Sequence, residues 1–479
     1  MNTLANNALF NILYRVLNVI FPLLSVSYVS RVLAPEGLGK IAYAHNIVSY
    51  FVMFAALGIP QYGTREIACR QNDPQRMKKL FSELLVLNFL STSVCLVLYY
   101  LLVGAAFSGE RILYLVFSLE LLFNYINIDW LYQGREDYVY ISLRSILVKV
   151  LSLILLVSFV KNPRDYVIYA LITCLALGCN YIFNVFHARK FIGLSLKGLN
   201  LSQHIKPILI LMLSSITSSL YCKVDVTMLG WMSSDAVVGY YANSHKIVNI
   251  ILTLVTAVTA VFLPRLSYIY AQEREKYQYY LSMGVKIVLL LALPGCIGLI
   301  LVAEPLVVTL FGGLFDPAAP TVQILAILIP IKGVGDLLCY QAIISSGNER
   351  HLVKSRILAG VANILLNSFL IPKFGQNGAA LASVVSELIV NGMLLRYSLT
   401  LEKPRIEKGF LWSAMVSTGV MAVVVVLLRR LLYTPLLSLV VPVVAGAAVY
   451  LVVLVMLKNE LTESLCAALK RKWRKEPAE

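Results

Sequence analysis

Apolar stretches of about twenty residues, separated by short polar connectors, run the length of the chain. A bilayer core of about 30 Å is crossed by a helix of about 20 mostly apolar residues. Fourteen stretches meet that requirement, near 8–32, 39–64, 80–104, 110–131, 139–160, 165–187, 207–231, 237–263, 279–303, 318–345, 352–371, 377–398, 409–428 and 436–457. The pattern predicts an all-α polytopic membrane protein. Fourteen is even, so both ends are expected on one side, and Lys and Arg decide which. The connectors after even-numbered spans, with the C-terminal tail, hold 26 basic residues, whereas the opposite connectors hold 8. The basic side faces the cytoplasm, so both termini are expected there. Arg429 and Arg430 fall on the outer side, where snorkelling to lipid headgroups is expected to accommodate them.

Composition agrees with this picture and removes others. Apolar residues make up 59% of the 479 residues and charged residues 14%, which is not the balance of soluble domains. The net charge of +16 needs no nucleic-acid partner, because the basic residues sit between spans. The eight cysteines are scattered and lack metal-ligand spacing, so they read as small apolar fillers, with no metal and no cofactor expected. No charge precedes Arg15, and the first apolar stretch exceeds a signal-peptide core, so no cleaved leader is expected. In the tail, Leu461, Leu465, Leu469 and Trp473 recur every fourth residue beside five basic residues, the pattern of a helix lying on an anionic leaflet.

An internal repeat is the most informative feature. GKIAYAHNIV from Gly39 matches GYYANSHKIV from Gly239 at an offset of 200, with Gly, Ala, His, Ile and Val identical. Only five histidines exist, and two of them, His45 and His245, align. That shift covers six spans, so the copies share orientation and are related by a pseudo-two-fold axis along the membrane normal. The expected organisation is an N-lobe over 1–192 (spans 1 to 6), a cytoplasmic inter-lobe linker over 193–206, and a C-lobe over 207–400 (spans 7 to 12). Spans 13 and 14 over 401–457 and a basic amphipathic cytoplasmic tail over 458–479 have no counterpart.

Seven basic residues fall inside spans, where each must face protein or a water-filled cavity. Arg144, Lys149 and Lys286, near inner ends or close to acids such as Glu120, read as structural ion pairs or snorkelling anchors. Arg15, Lys223 and Lys246 belong to polar stripes at helical spacing: Asn11, Arg15, Asn18 and Ser25; Ser215, Ser219, Lys223 and Thr227; Lys246, Asn249, Thr253 and Thr256. Asn46 and Ser49, beside His45, form a shorter one. These helices are the ones that the repeat places around the axis, which predicts a cationic, hydroxyl-rich cavity suited to an anionic polar ligand such as a phosphate-bearing saccharide. Arg15, Lys223, Lys246, His45, His245, Asn18, Asn46 and Asn249 are the candidate binding residues. Asp225, Asp336 and Glu387 are either partners for Lys223 and Lys332 or ligands of a coupling ion.

The run SRVLAPEGLGKIAYAHNIVSYFVMFAALGIPQYGTREIA (30–68) resembles the signature of bacterial polysaccharide repeat-unit flippases of the Wzx type. Their superfamily also holds multidrug and toxin extruders and the lipid II flippase. YQGREDY (132–138) and SSGNERHLV (345–353) add to the likeness. The resemblance implies two six-helix bundles with alternating access in the cytoplasmic membrane. It also implies transfer of an isoprenoid-pyrophosphate-linked oligosaccharide from inner to outer leaflet, with a polysaccharide polymerase and glycosyltransferases as partners beside the membrane lipids. Arg15 and Lys246 stand at positions like those of cations in the lipid II flippase, while His45 or Asn46 replaces its second-helix cation. A drug or cation extruder is the second reading, although the first helix carries no carboxylate between residues 8 and 32. A membrane-embedded polymerase or ligase would need an ordered outer loop that these short connectors do not provide, so no enzyme is expected.

Overall fold

A computed structural model describes residues 2–106, 109–195, 197–270, 274–345, 350–401, 403–459 and 461–462; side chains are described from residue 21 onward, apart from 22, 214–222 and a few further positions. Among the described residues every regular element is helical. In chain order these are α1 (Asn2–Ala56), α2 (Ile59–Cys69), α3 (Pro74–Ala106), α4 (Arg111–Asn124), α5 (Asp129–Gly134), α6 (Tyr138–Phe159), α7 (Tyr166–Ala188) and α8 (Ser202–Met232). They continue with α9 (Asp235–Tyr270), α10 (Arg274–Phe311), α11 (Ala319–Ala326), α12 (Leu328–Gly335), α13 (Ala342–Ser345), α14 (Arg350–Leu401), α15 (Lys408–Leu431) and α16 (Pro435–Met456). Nine segments among the described residues are long and apolar enough to cross a membrane, from Leu23–Cys69 to Pro435–Met456. The chain is an all-α, multi-pass membrane protein. Most of the tail expected to lie on the inner leaflet falls outside the described residues.

Two of the longest helices are broken. In α1 the break is Ala34, at φ 57° and ψ 175°. Pro35 follows directly: proline offers no N–H to continue the helix, and its ring disfavours the helical ψ at the preceding residue. In α14 the break is Gly375, at φ 53°. A third turn ends the second expected stretch earlier than residue 64. Leu57 and Gly58 both take positive φ, and α2 starts separately with Pro60 in its first turn. Its buried positions Ile59, Tyr62, Gly63 and Ile67 recur at helical spacing while Arg65 and Cys69 are exposed, so α2 is amphipathic and lies against its bundle.

The chain divides into two compact units, Met1–Gly239 and Tyr240–Glu479. In the first, Ile59, Tyr62, Ile67, Leu84, Trp130, Tyr132 and Ile208 form a buried cluster uniting α2, α3, α5 and α8. Two quoted motifs meet here. A Cβ on Gly63 would fall 2.6 Å from the Trp130 ring, and one on Gly134 would fall 2.7 Å from the Thr64 carbonyl oxygen. The glycines of QYGTRE and YQGRED are therefore demanded by the crossing of α2 and α5.

Each unit also fastens the connector that follows its paired helices. The Ser195 N–H donates to Ser82 Oγ at 2.8 Å in the first unit. In the second, the Arg405 N–H donates to Ser282 Oγ at 2.8 Å. Both serines donate in turn to the carbonyl four residues earlier, Lys78 and Gln278. Ser82 and Ser282 differ by the same 200 positions as the sequence repeat. At the first strap Glu83 is also engaged: it accepts from the Asn200 N–H at 2.7 Å and meets His204 Nε2 at 2.8 Å, and Tyr62 closes the chain on His204 Nδ1 at 2.8 Å.

Candidate functional site

In the first unit, α1 and α8 cross at the polar stripes. Asn46, Ser49 and Tyr50 share one face of α1, and Lys223 and Thr227 share one face of α8, by i+3 and i+4 spacing. The Lys223 ammonium donates to Ser49 Oγ. Asn46 Nδ2 donates to Thr227 Oγ1 at 2.8 Å and to the Lys223 carbonyl at 3.2 Å. Tyr50 OH lies 2.9 Å from Thr227 Oγ1. The outcome is a ledge of one ammonium, one amide and three hydroxyls, about 15 Å along the helix from Glu36 at 1.5 Å per residue. Groups of this kind cannot face lipid, and together they offer an anion both charge and hydrogen-bond donors.

His45 leaves that ledge for a different partner. Its Nε2 lies 3.6 Å from Glu120 Oε1, and its ring packs on Phe117 at 5.7 Å. Cys174 Sγ approaches the same Glu120 oxygen at 3.9 Å, and the Lys223 charge also bears on this carboxylate. Glu120 thus belongs with the candidate site, not with the in-span basic residues beside which the sequence first set it. Arg144 instead donates to Asp129 at 3.3 Å and to Asn184, and Lys286 pairs with Glu407 at 2.5 Å. Asp225 is buried on α8, and its charge reaches Tyr50. The side chains of Arg15, Asn18, Ser215 and Ser219 lie outside the described residues.

The aligned positions in the second unit have other surroundings. Asn249 Nδ2 donates to His245 Nδ1 at 2.8 Å, and His245 stacks on Tyr241. Lys246 is exposed and reaches Asn243 Oδ1 at 3.4 Å. Thr253 and Thr256 turn their hydroxyls back to helix carbonyls, so that part of the stripe is satisfied internally. Asp336 accepts a hydrogen bond from Thr259, and Glu387 pairs with Lys332 at 2.9 Å. Arg429, expected to snorkel, also has partners within the protein. It donates to the Leu301 carbonyl and pairs with Glu304 at 3.0 Å.

Two features escaped the sequence reading. The Glu83–His204–Tyr62 chain could have been suspected only from a lone acid opening the third span and a histidine just before the seventh. The other is an apolar cavity of about 680 Å³ among α9, α10, α15 and α16, lined by Gly298, Leu299, Met421, Pro442, Gly446 and Tyr450 among others. No periodicity announces a cavity, because its lining residues have the same composition as those that fill a core.

Comparisons with known proteins agree with this architecture. A family described as "Polysaccharide biosynthesis protein" matches residues 4–270. The putative O-antigen transporter of Escherichia coli (strain K12) is 24% identical over 407 residues, covering 83% of this chain and 98% of the relative. The probable flippase AglR of Haloferax volcanii is 28% identical over 253 residues, 51% of this chain and 52% of that one. Among solved structures, the lipid II flippase MurJ in an inward closed conformation matches with a TM-score of 0.75 at 16% identity, covering 95% of this chain and 99% of that one. An inward-facing multidrug resistance MATE family transporter matches at 0.64 and 18% identity, covering 80% and 93%. The relatives are transporters and flippases, not enzymes, in agreement with the expected non-catalytic role.

Proposed function

The chain belongs to the polysaccharide biosynthesis protein family, and from that membership we propose that it is a flippase. Its cargo is an isoprenoid-pyrophosphate-linked oligosaccharide repeat unit, moved from the inner to the outer leaflet of the cytoplasmic membrane by alternating access. The observation that carries this reading is the ledge of Lys223, Ser49, Asn46, Tyr50 and Thr227 inside membrane-spanning helices. A diphosphate crossing the bilayer needs donors that replace its water, and this ledge supplies them. The apolar cavity of the second unit supports the same reading, since a polyprenyl chain needs a lining without polar groups. Fourteen spans with cytoplasmic termini, lobes over 1–192 and 207–400, and Arg15 as a cytoplasm-proximal cation complete the proposal. The breaks at Ala34 and Gly375 support the span count, each dividing one long helix into two crossings. An extruder of organic cations fits less well. Such a cargo needs accessible carboxylates, whereas Glu120 faces His45 and Glu387 faces Lys332.

Removing one charge-assisted hydrogen bond costs about 1.5–3 kcal/mol, on the order of tenfold to a hundredfold in binding. Lys223→Ala and Arg15→Ala are therefore expected each to abolish surface polysaccharide and to accumulate lipid-linked intermediate on the cytoplasmic side, with Arg15→Lys retaining part of the activity. Full polysaccharide display by both alanine variants at normal expression would overturn the reading.

A further inference from the structure

The second unit holds an ion pair that the proposed ledge does not use. Lys332 lies on α12 and Glu387 on the second half of α14, with Nζ and Oε1 2.9 Å apart. Lys332 is 13 residues from the start of α11 and 13 from the end of α13, about 20 Å each way at 1.5 Å per residue. Glu387 stands 12 residues after the break at Gly375 and 14 before Leu401, again about 20 Å from either end. The pair therefore sits near mid-span, at the depth where a charge is most costly. A half-buried pair at this depth gives up much of its hydration for one Coulombic contact, so stability alone is a poor reason to keep one there.

Its surroundings are built around it. Asn391, one turn after Glu387, donates to Glu387 Oε2 at 3.2 Å and to its carbonyl at 2.9 Å. The Asn391 amide occupies the space that a side chain at position 335 would take: a Cβ on Gly335 would fall 1.7 Å from Asn391 Oδ1. Directly after Gly335 the helix widens into a π-turn over Asp336–Gln341, where Asp336 is tied to Thr259 of α9. Such turns are frequent at functional sites. The Lys332 charge also bears on His245, the histidine of the repeated motif. Within the pair the cation is the more open partner, 26% exposed against 12% for the carboxylate.

We propose that Lys332 is a further binding cation for the diphosphate head group, and that Glu387 is a built-in substitute anion which occupies the ammonium until the head group displaces it. The proposal rests on the flippase reading and adds to it a second-unit cation at mid-depth. A diphosphate ester carries more charge than one carboxylate, so it competes successfully for the ammonium. Asn391 keeps Glu387 hydrogen-bonded after displacement, so the exchange leaves no carboxylate without a partner. The ammonium is never left bare at the midplane, either before the cargo arrives or after it leaves.

The test uses the full-length protein in lipid nanodiscs, with farnesyl diphosphate as probe and farnesol as the uncharged control. Wild type is expected to bind the diphosphate more tightly than the alcohol. Glu387→Gln removes the competing charge and should tighten diphosphate binding severalfold, whereas Lys332→Gln combined with Glu387→Gln should weaken it about tenfold with farnesol binding unchanged. Unchanged or weaker binding by Glu387→Gln overturns the assignment, as does wild-type affinity in the double variant. If the double variant does not fold, Glu387→Gln decides alone. Equal binding of diphosphate and alcohol by wild type would instead remove the head-group reading itself, and Lys332 with it.

Discussion

Arg144 and Lys286 are both basic residues inside apolar spans, yet their partners give them different costs. Arg144 is buried with Asp129, Asn184 and the Asn180 carbonyl around one guanidinium nitrogen. Removing it leaves a partly exposed carboxylate and a buried amide without their cation, a loss of about 1.5–3 kcal/mol. Lys286 meets Glu407, whose side chain is 59% exposed, so water takes over when the lysine is removed and the loss is about 1 kcal/mol. Arg144→Ala should therefore lower the unfolding temperature in detergent much more than Lys286→Ala, and Lys286→Ala should leave transport nearly intact. Equal shifts for the two variants would contradict the difference in burial. Sequence could class both as structural, but it could not rank them, because the rank depends on what the acid does once it is alone.

At the scale of helices, Gly39 and Gly239 mark a place where two backbones touch. A Cβ on Gly39 would fall 1.6 Å from the Asp235 carbonyl oxygen, and one on Gly239 would fall 2.1 Å from the Pro35 carbonyl oxygen. The obstacles are backbone atoms, which cannot swing aside as a flexible side chain can. Gly39→Val is expected to force the start of the second α1 segment away from the first turn of α9 and to stop surface polysaccharide display, with normal membrane insertion. Gly104→Val is the control, because nothing lies within 4 Å of the added atom. Comparable polysaccharide display by the two variants would show that this approach is not required. The repeat made these glycines conspicuous in sequence; that they meet backbone is known only from the fold.

For the whole molecule, the proposed orientation is the property most directly open to measurement. Single cysteines placed at Lys197 and Lys472 in a cysteine-free background should stay unlabelled by a membrane-impermeant thiol reagent added outside intact cells, and should react once the membrane is permeabilised. Labelling in intact cells at either position would reverse the topology. The two straps, Ser82 with Ser195 and Ser282 with Arg405, keep the 200-residue offset at their acceptor serines, while their donors stand 210 residues apart.

Hydropathy alone determined that the chain is helical and multi-pass, because burial in lipid demands long apolar segments whatever their neighbours are. Helical spacing likewise grouped Lys223 with Thr227 and Asn46 with Ser49, since 3.6 residues per turn is a local property. Tertiary structure alone decided which charges meet. Glu120 is separated from His45 by 75 positions, and Glu387 from Lys332 by 55. Ion pairs form across helix interfaces, and nothing in the spacing along one helix records which face a neighbour presents. The apolar cavity and the π-turn after Gly335 belong to the same class, because empty space and a locally widened helix depend on how helices pack and not on the residues in any one of them.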